Sequence, residues 1–155
     1  MKKITDPQIA RIVKQLDELP GYEIFRYVDQ NGEVRDVHSD DVNEYIKKYA
    51  GDDYSAKDFR TWGGTLLATS AILAAEIDNN ETKTARKKRV TAVVKEVAKR
   101  LGNTPAVARS SYIDPRVFTS IDSPDTINKV QQAMTTMRPK KYMTIEEQCV
   151  LQLLK

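Results

Sequence analysis

The sequence predicts a mainly α-helical domain with a small β-hairpin near its N-terminus. Apolar residues recur at the 3.6-residue period of amphipathic helices over most of the chain. Pro and Gly punctuate those runs at their ends, as helix starts and stops require. One short segment, Glu23 to Val37, instead shows aromatic and β-branched runs on either side of Asp29-Gln30-Asn31-Gly32, and Asn-Gly between such runs favours a hairpin turn.

The elements follow in order. Ile9, Ile12, Val13, Leu16 and Leu19 share one face of a helix over 7–18. Asp6 is suited to its N-cap, Pro7 to its first turn, and Pro20-Gly21 to its end. After the hairpin a second helix is expected from Asp40 to Tyr49, stopping at Ala50-Gly51. A third starts at Ser55 and continues to about Ile77, although Gly63-Gly64 inside it must cost helix stability or mark a close contact. A basic helix covers roughly 82–101 and ends at Gly102, and a short one begins near Thr104-Pro105, reaches Tyr112 and breaks before Pro115. Two more, about 125–136 and 144–154, close the chain. With 155 residues, no internal repeat and no long linker, the expectation is one domain over 1–155 able to bury a real core.

Composition narrows the function classes. At 40% hydrophobic and 30% charged the chain reads as soluble and globular, and its longest apolar stretch, Leu66 to Ile77, is interrupted by Thr69, Ser70 and Glu76, so no membrane partner is expected. The start, Met1 to Pro7, lacks the apolar run of a secretory signal, and a cytosolic protein is the simplest reading. Cys149 stands alone, which excludes an internal disulfide and a cysteine-based zinc site. His38 is the single histidine, so multi-histidine metal sites are excluded as well, and its place before a helix suits a surface or capping role. Gly63-Gly64 has neither the spacing nor the following Lys-Ser/Thr of a phosphate loop, which argues against ATP hydrolysis.

The net charge of +3 conceals an uneven distribution. Asp17 to Asp53 holds eleven acidic residues against four basic ones. Glu81 to Arg100 holds eight basic residues (Lys83, Arg86, Lys87, Lys88, Arg89, Lys95, Lys99, Arg100) against Glu81 and Glu96. Such a helix suits a polyanion, because every neutralised phosphate releases condensed counterions. For a charge run alone, a solvated helix face is the simpler reading.

Two segments stand out beside it: Lys57-Asp58-Phe59-Arg60-Thr61-Trp62, and Gly102-Asn103-Thr104-Pro105 with Tyr112 nine residues after Asn103. Taken singly, an Arg near a Trp and a Tyr near a helix end are ordinary packing features. Together they resemble the bacterial and poxvirus-type topoisomerase IB family, whose arginine motif reads Lys-Asp-Phe-Arg-Thr-Trp and whose tyrosine motif reads Gly-Asn/His-Thr-Pro with Tyr at that spacing. The resemblance extends to Asp41 through Ile46, the hairpin segment Glu23 to Asp36, and the tail from Glu146 to Leu154.

The resemblance implies the compact helical catalytic fold shared by topoisomerase IB and the tyrosine recombinases. It implies double-stranded DNA as the partner, a monomer working without metal or other cofactor, and a cytoplasmic, nucleoid-associated setting. Tyr112 would be the nucleophile, forming a 3′-phosphotyrosyl link similar in energy to the bond it replaces, so that resealing needs no ATP. Arg60 would offer its planar fork of donors to two phosphate oxygens, and Asn103 one amide hydrogen bond to a non-bridging oxygen. Lys57, Arg86, Lys87, Lys88, Arg89 and Arg109 are the candidate phosphate contacts, whereas Phe59 and Trp62 are expected in the core.

The family also uses a further Arg and a hairpin Lys acting as general acid, and neither has a match here. Arg35 and Lys57 do not occupy those motifs. The expectation is a C-terminal part of a larger catalytic domain that relaxes supercoils poorly by itself. A tyrosine recombinase would want His-x-x-Arg between the first Arg and the Tyr, but His38 precedes Arg60. A non-catalytic helical DNA-binding module of the same fold, and a protein-interaction domain using the acidic half, are the readings from other classes.

Overall fold

Asp6 starts the first helix as its chemistry predicts: its carboxylate accepts from the backbone N–H of Gln8 at 2.8 Å and of Ile9 at 3.1 Å, and Pro7 fills the first turn. The computed structural model describes residues 6–75 and 81–155. Among these the order is α1 (Pro7–Asp17), β1 (Arg26–Val28), β2 (Val34–Asp36), α2 (Ser39–Ala50), α3 (Ala56–Leu73), α4 (Lys83–Leu101), α5 (Pro105–Ser111), α6 (Pro115–Ser120), α7 (Pro124–Met134) and α8 (Ile145–Leu153). The mainly helical class with one small hairpin is what the sequence predicts. Two compact units divide the chain, Met1–Ala56 and Lys57–Lys155.

In the first unit β1 and β2 pair antiparallel, with Arg26 opposite Asp36 and Val28 opposite Val34. Asp29 builds the turn: its carboxylate accepts from the N–H of Asn31 and of Glu33, and Gly32 adopts φ 82°. Arg26 is buried, and its Nε donates to the Leu16 carbonyl at 3.3 Å. His38 takes the N-cap position of α2, where the Asp41 carboxylate accepts from its backbone N–H at 2.7 Å. Ile9 and Ile12 form the expected apolar face of α1 but stay about half exposed.

The second unit holds the core. Ala68 and Ile72 of α3 share one buried cluster with Val93, Val94, Val97 and Ala98 of α4, and Ala108, Ile113, Val117, Ile121, Ile127, Val130, Cys149 and Leu153 complete it. Their spacing of three and four residues along each helix is what presents one face inward. Ile127 has no exposed surface, and Ile127→Ala is expected to cost about 2–5 kcal/mol, since the neighbours refill such a cavity only in part. Urea unfolding checks this through a lowered midpoint with an unchanged slope.

Three expectations are corrected. A sixth helix, α6, follows Asp114-Pro115, where the sequence reading has only a break. Proline ends the preceding helix and also fills the first turn of the next, its missing N–H having no partner to lose there. Phe59 is 63% exposed rather than in the core. Helix α3 runs to Leu73, and the expected end near Ile77 lies outside the described residues. No described helix is long and apolar enough to cross a membrane.

Candidate active site

The arginine motif forms the first two turns of α3, which puts Arg60 on an exposed face of that helix. The chain reaches the second motif through the end of α4. There Gly102 takes the left-handed conformation, φ 70°, and its N–H bonds back to Ala98 and Lys99 while that of Asn103 returns to the Ala98 carbonyl at 2.9 Å. This cap turns the backbone sharply and leaves the Leu101 carbonyl pointing out of the helix end. Two side chains use it: Arg60 Nη2 donates to it at 3.0 Å and Asn103 Nδ2 at 3.3 Å.

Thr104 then caps α5 by accepting from the Val107 N–H at 3.3 Å, and Pro105 fills the first turn. Seven helical residues later Tyr112 closes the helix as its C-cap, half-buried. The Arg60 guanidinium lies over the Tyr112 ring, 4.9 Å from its centroid. Arg60, far from the other two along the chain, thus gathers with Asn103 and Tyr112 around one helix end.

The expected phosphate contacts divide into two sets. Lys57, Lys87 and Lys88 are exposed. Lys87 and Lys88 border a shallow groove along α4 that Lys95 continues. Arg86 and Arg89 are instead engaged by acids: Arg89 pairs with Glu81 at 2.5 Å, and Arg86 with Asp122 at 3.3 Å and Glu81 at 3.9 Å. Their side chains are only 23% and 15% exposed, so the sequence run of cations overstates the free charge on this helix. Arg109 stacks on Phe118, 4.3 Å from the ring centre, beside a cleft lined by Lys83, Arg86 and Lys87.

Other groups at the site are not among the expected catalytic residues. The Trp62 indole N–H donates to Glu147 at 3.4 Å. Glu147 also accepts from the Thr144 N–H at 2.7 Å and so closes the capping box of α8. These bonds, that of Thr144 first, hold its carboxyl below the ordinary range. The Leu101 carbonyl is invisible to residue-type reasoning. Thr61 lies within the arginine motif, and for Thr65, treated below, the nearest sequence signal is the glycine pair before it.

Asp114, two residues after the tyrosine, caps α6 and grips Arg116 through Nε at 3.1 Å and Nη2 at 2.8 Å. Arg116 lowers the Asp114 carboxyl from its ordinary value. A depressed folded value means the contribution is complete above the unfolded value and is lost as pH falls through the folded one. Melting temperature is therefore expected to fall on acidification through and below the ordinary aspartate range. In Asp114→Asn that part of the decline flattens, while Asp114→Ala costs about 1 kcal/mol near neutral pH with the cap. Thermal melts across pH check both.

An arginine and an amide donor thus stand beside a half-buried tyrosine on a helical scaffold, and similarity to known proteins says which class of protein that scaffold belongs to. A family model of the eukaryotic DNA topoisomerase I catalytic core matches residues 3–141. A DNA topoisomerase 1B of Acanthamoeba polyphaga mimivirus is 33% identical over 107 residues, taking in 65% of this chain and 32% of the viral protein. The chain belongs to the type IB DNA topoisomerase family, and it spans about a third of the length of that viral relative.

Proposed function

We propose that this chain carries the nucleophile and two phosphate-binding groups of a type IB DNA topoisomerase, and that it cleaves one strand of duplex DNA without ATP or metal. The Tyr112 phenolic oxygen attacks a backbone phosphorus and gives up its proton. A tyrosyl–phosphorus bond forms at the 3′ side and the bond from phosphorus to the 5′-oxygen breaks. That oxygen leaves as a free hydroxyl by taking a proton from solvent, into which Tyr112 released its own; with no match to the family's general acid this step is slow. Rotation about the intact strand and the reverse attack then relax and reseal the duplex.

The observation that carries this reading is the Arg60 guanidinium over the Tyr112 ring, anchored with Asn103 on the Leu101 carbonyl. A phosphate approaching Tyr112 meets a fixed cation and an amide donor. Groups positioned before the reaction stabilise charge that develops on the non-bridging oxygens without a cost of reorganisation. Exposed Lys57, Lys87 and Lys88 supply sequence-independent attraction to the duplex. Arg86 and Arg89 contribute less, because a phosphate must first displace Glu81 from them.

The test uses the full chain and duplex DNA bearing sulfur in place of the bridging 5′-oxygen. Sulfur leaves without a proton donor, so the reaction depends on Tyr112 and the phosphate-binding groups rather than on a general acid. A denaturant-resistant adduct, mapped by mass spectrometry to Tyr112, is the expected result. DNA binding without any adduct would overturn the enzymatic reading in favour of a non-catalytic module.

A further inference from the structure

One face of α3 holds the backbone on both sides of Tyr112. The Thr61 hydroxyl lies 3.3 Å from the Ser111 carbonyl oxygen and 3.1 Å from that of Lys57, so its one hydrogen is shared between them. One turn further along, Gly64 faces the Tyr112 carbonyl with its bare Cα. A Cβ there would collide with the carbonyl oxygen and stand 3.1 Å from the carbonyl carbon. Beside it the Thr65 hydroxyl, in a buried side chain, accepts from the Asp114 N–H at 3.1 Å. Positions 61, 64 and 65 share one face, as residues three and four apart must. The residue before this face is Arg60.

We infer that Thr61, Gly64 and Thr65 are positioning residues that set the register of Tyr112 against Arg60. Two residues in contact with one helix can still slide past each other by a fraction of a turn. Here the carbonyl of residue 111 and the N–H of residue 114 are hydrogen-bonded to the helix that carries the arginine, and the carbonyl of residue 112 packs against it at Gly64. Thr61 and Thr65 touch no reacting atom, and their effect passes through the placement of the tyrosine. The inference rests on the reading of Tyr112 as nucleophile.

A misplacement of about 1 Å costs roughly a hundredfold in rate when the reacting groups must align. Thr65→Val keeps the shape and removes the acceptor. It is expected to slow adduct formation on the sulfur-substituted duplex by about tenfold to a hundredfold with DNA affinity nearly unchanged, and Thr65→Ser restores the rate. The second readout is the resonance of a fluorinated tyrosine placed at position 112, which is expected to move in Thr65→Val and return in Thr65→Ser.

A lowered melting temperature with an unmoved resonance and an unchanged rate would make the contact purely structural and overturn the inference. If the parent chain forms no adduct, the nucleophile reading fails. The fluorine signal then decides the register alone: a shift in Thr65→Val supports it and an unmoved signal overturns it. Thr61→Val, at a half-buried site, gives the same two readouts if Thr65→Val does not fold.

Discussion

Tyr112→Phe is expected to form no denaturant-resistant adduct with sulfur-substituted DNA over a period in which the parent chain reacts to completion. The substitution removes one oxygen and nothing else. The ring remains under the Arg60 guanidinium, so the stack, the fold and the affinity for DNA are expected to persist. The choice of Tyr112 over the other six tyrosines follows from surroundings. Tyr22, Tyr27, Tyr45, Tyr49, Tyr54 and Tyr142 are all exposed, and among the described residues Tyr112 has the one tyrosine ring stacked by an arginine. Arg60→Ala provides the contrast. It retains the nucleophile but loses a preorganised cation, and a loss of about a hundredfold to a thousandfold in adduct rate is expected. Lysine at that position restores little, because an ammonium cannot offer the paired donors of the guanidinium fork. An adduct formed by Tyr112→Phe at the parent rate would assign the chemistry to another residue and end the proposal.

How much of this was legible depended on where the information resides. Helix ends marked by caps read well. Asp6-Pro7, Gly102 and Thr104-Pro105 all sit where their side chains or conformations are needed. Pro115 misled because one residue both stops a helix and starts another, and the six residues of α6 are too few to show a period. Side-chain partners were less legible than elements. The run Arg86 to Arg89 reads as four equivalent cations, yet α-helical spacing turns Arg86 and Arg89 toward Glu81 and leaves Lys87 and Lys88 outside. The motif residues Arg60, Asn103 and Tyr112 could be named through the resemblance of their two segments to the topoisomerase IB motifs. Their meeting point could not, because a backbone carbonyl at a helix end carries no residue identity.

The two glycines inside α3 make opposite predictions from one local sequence. Both lie in the helix, and neither has a positive φ, so conformation alone requires glycine at neither. Gly63 has nothing within 4 Å of where a Cβ would stand. Gly63→Ala is therefore expected to stabilise the chain by about 0.5–1 kcal/mol, the ordinary gain in helix propensity. At Gly64 the same methyl falls on the Tyr112 carbonyl and comes within 3.3 Å of Leu101 Cδ1. The leucine tip can yield, but the carbonyl belongs to the backbone held by Thr61 and Thr65, so α3 and the end of α5 must part. Overpacking of this kind costs about 1–3 kcal/mol, and a rigid backbone neighbour puts Gly64→Ala at the upper end. Thermal unfolding of the two variants side by side measures the difference. Because the collision falls on the peptide of Tyr112, the proposed nucleophile, adduct formation by Gly64→Ala is also expected to slow well below the parent rate at temperatures where the variant remains folded. Equal stability of the two variants would mean that α3 does not approach Tyr112 as closely as the glycine allows, and the register argument would lose its tightest contact.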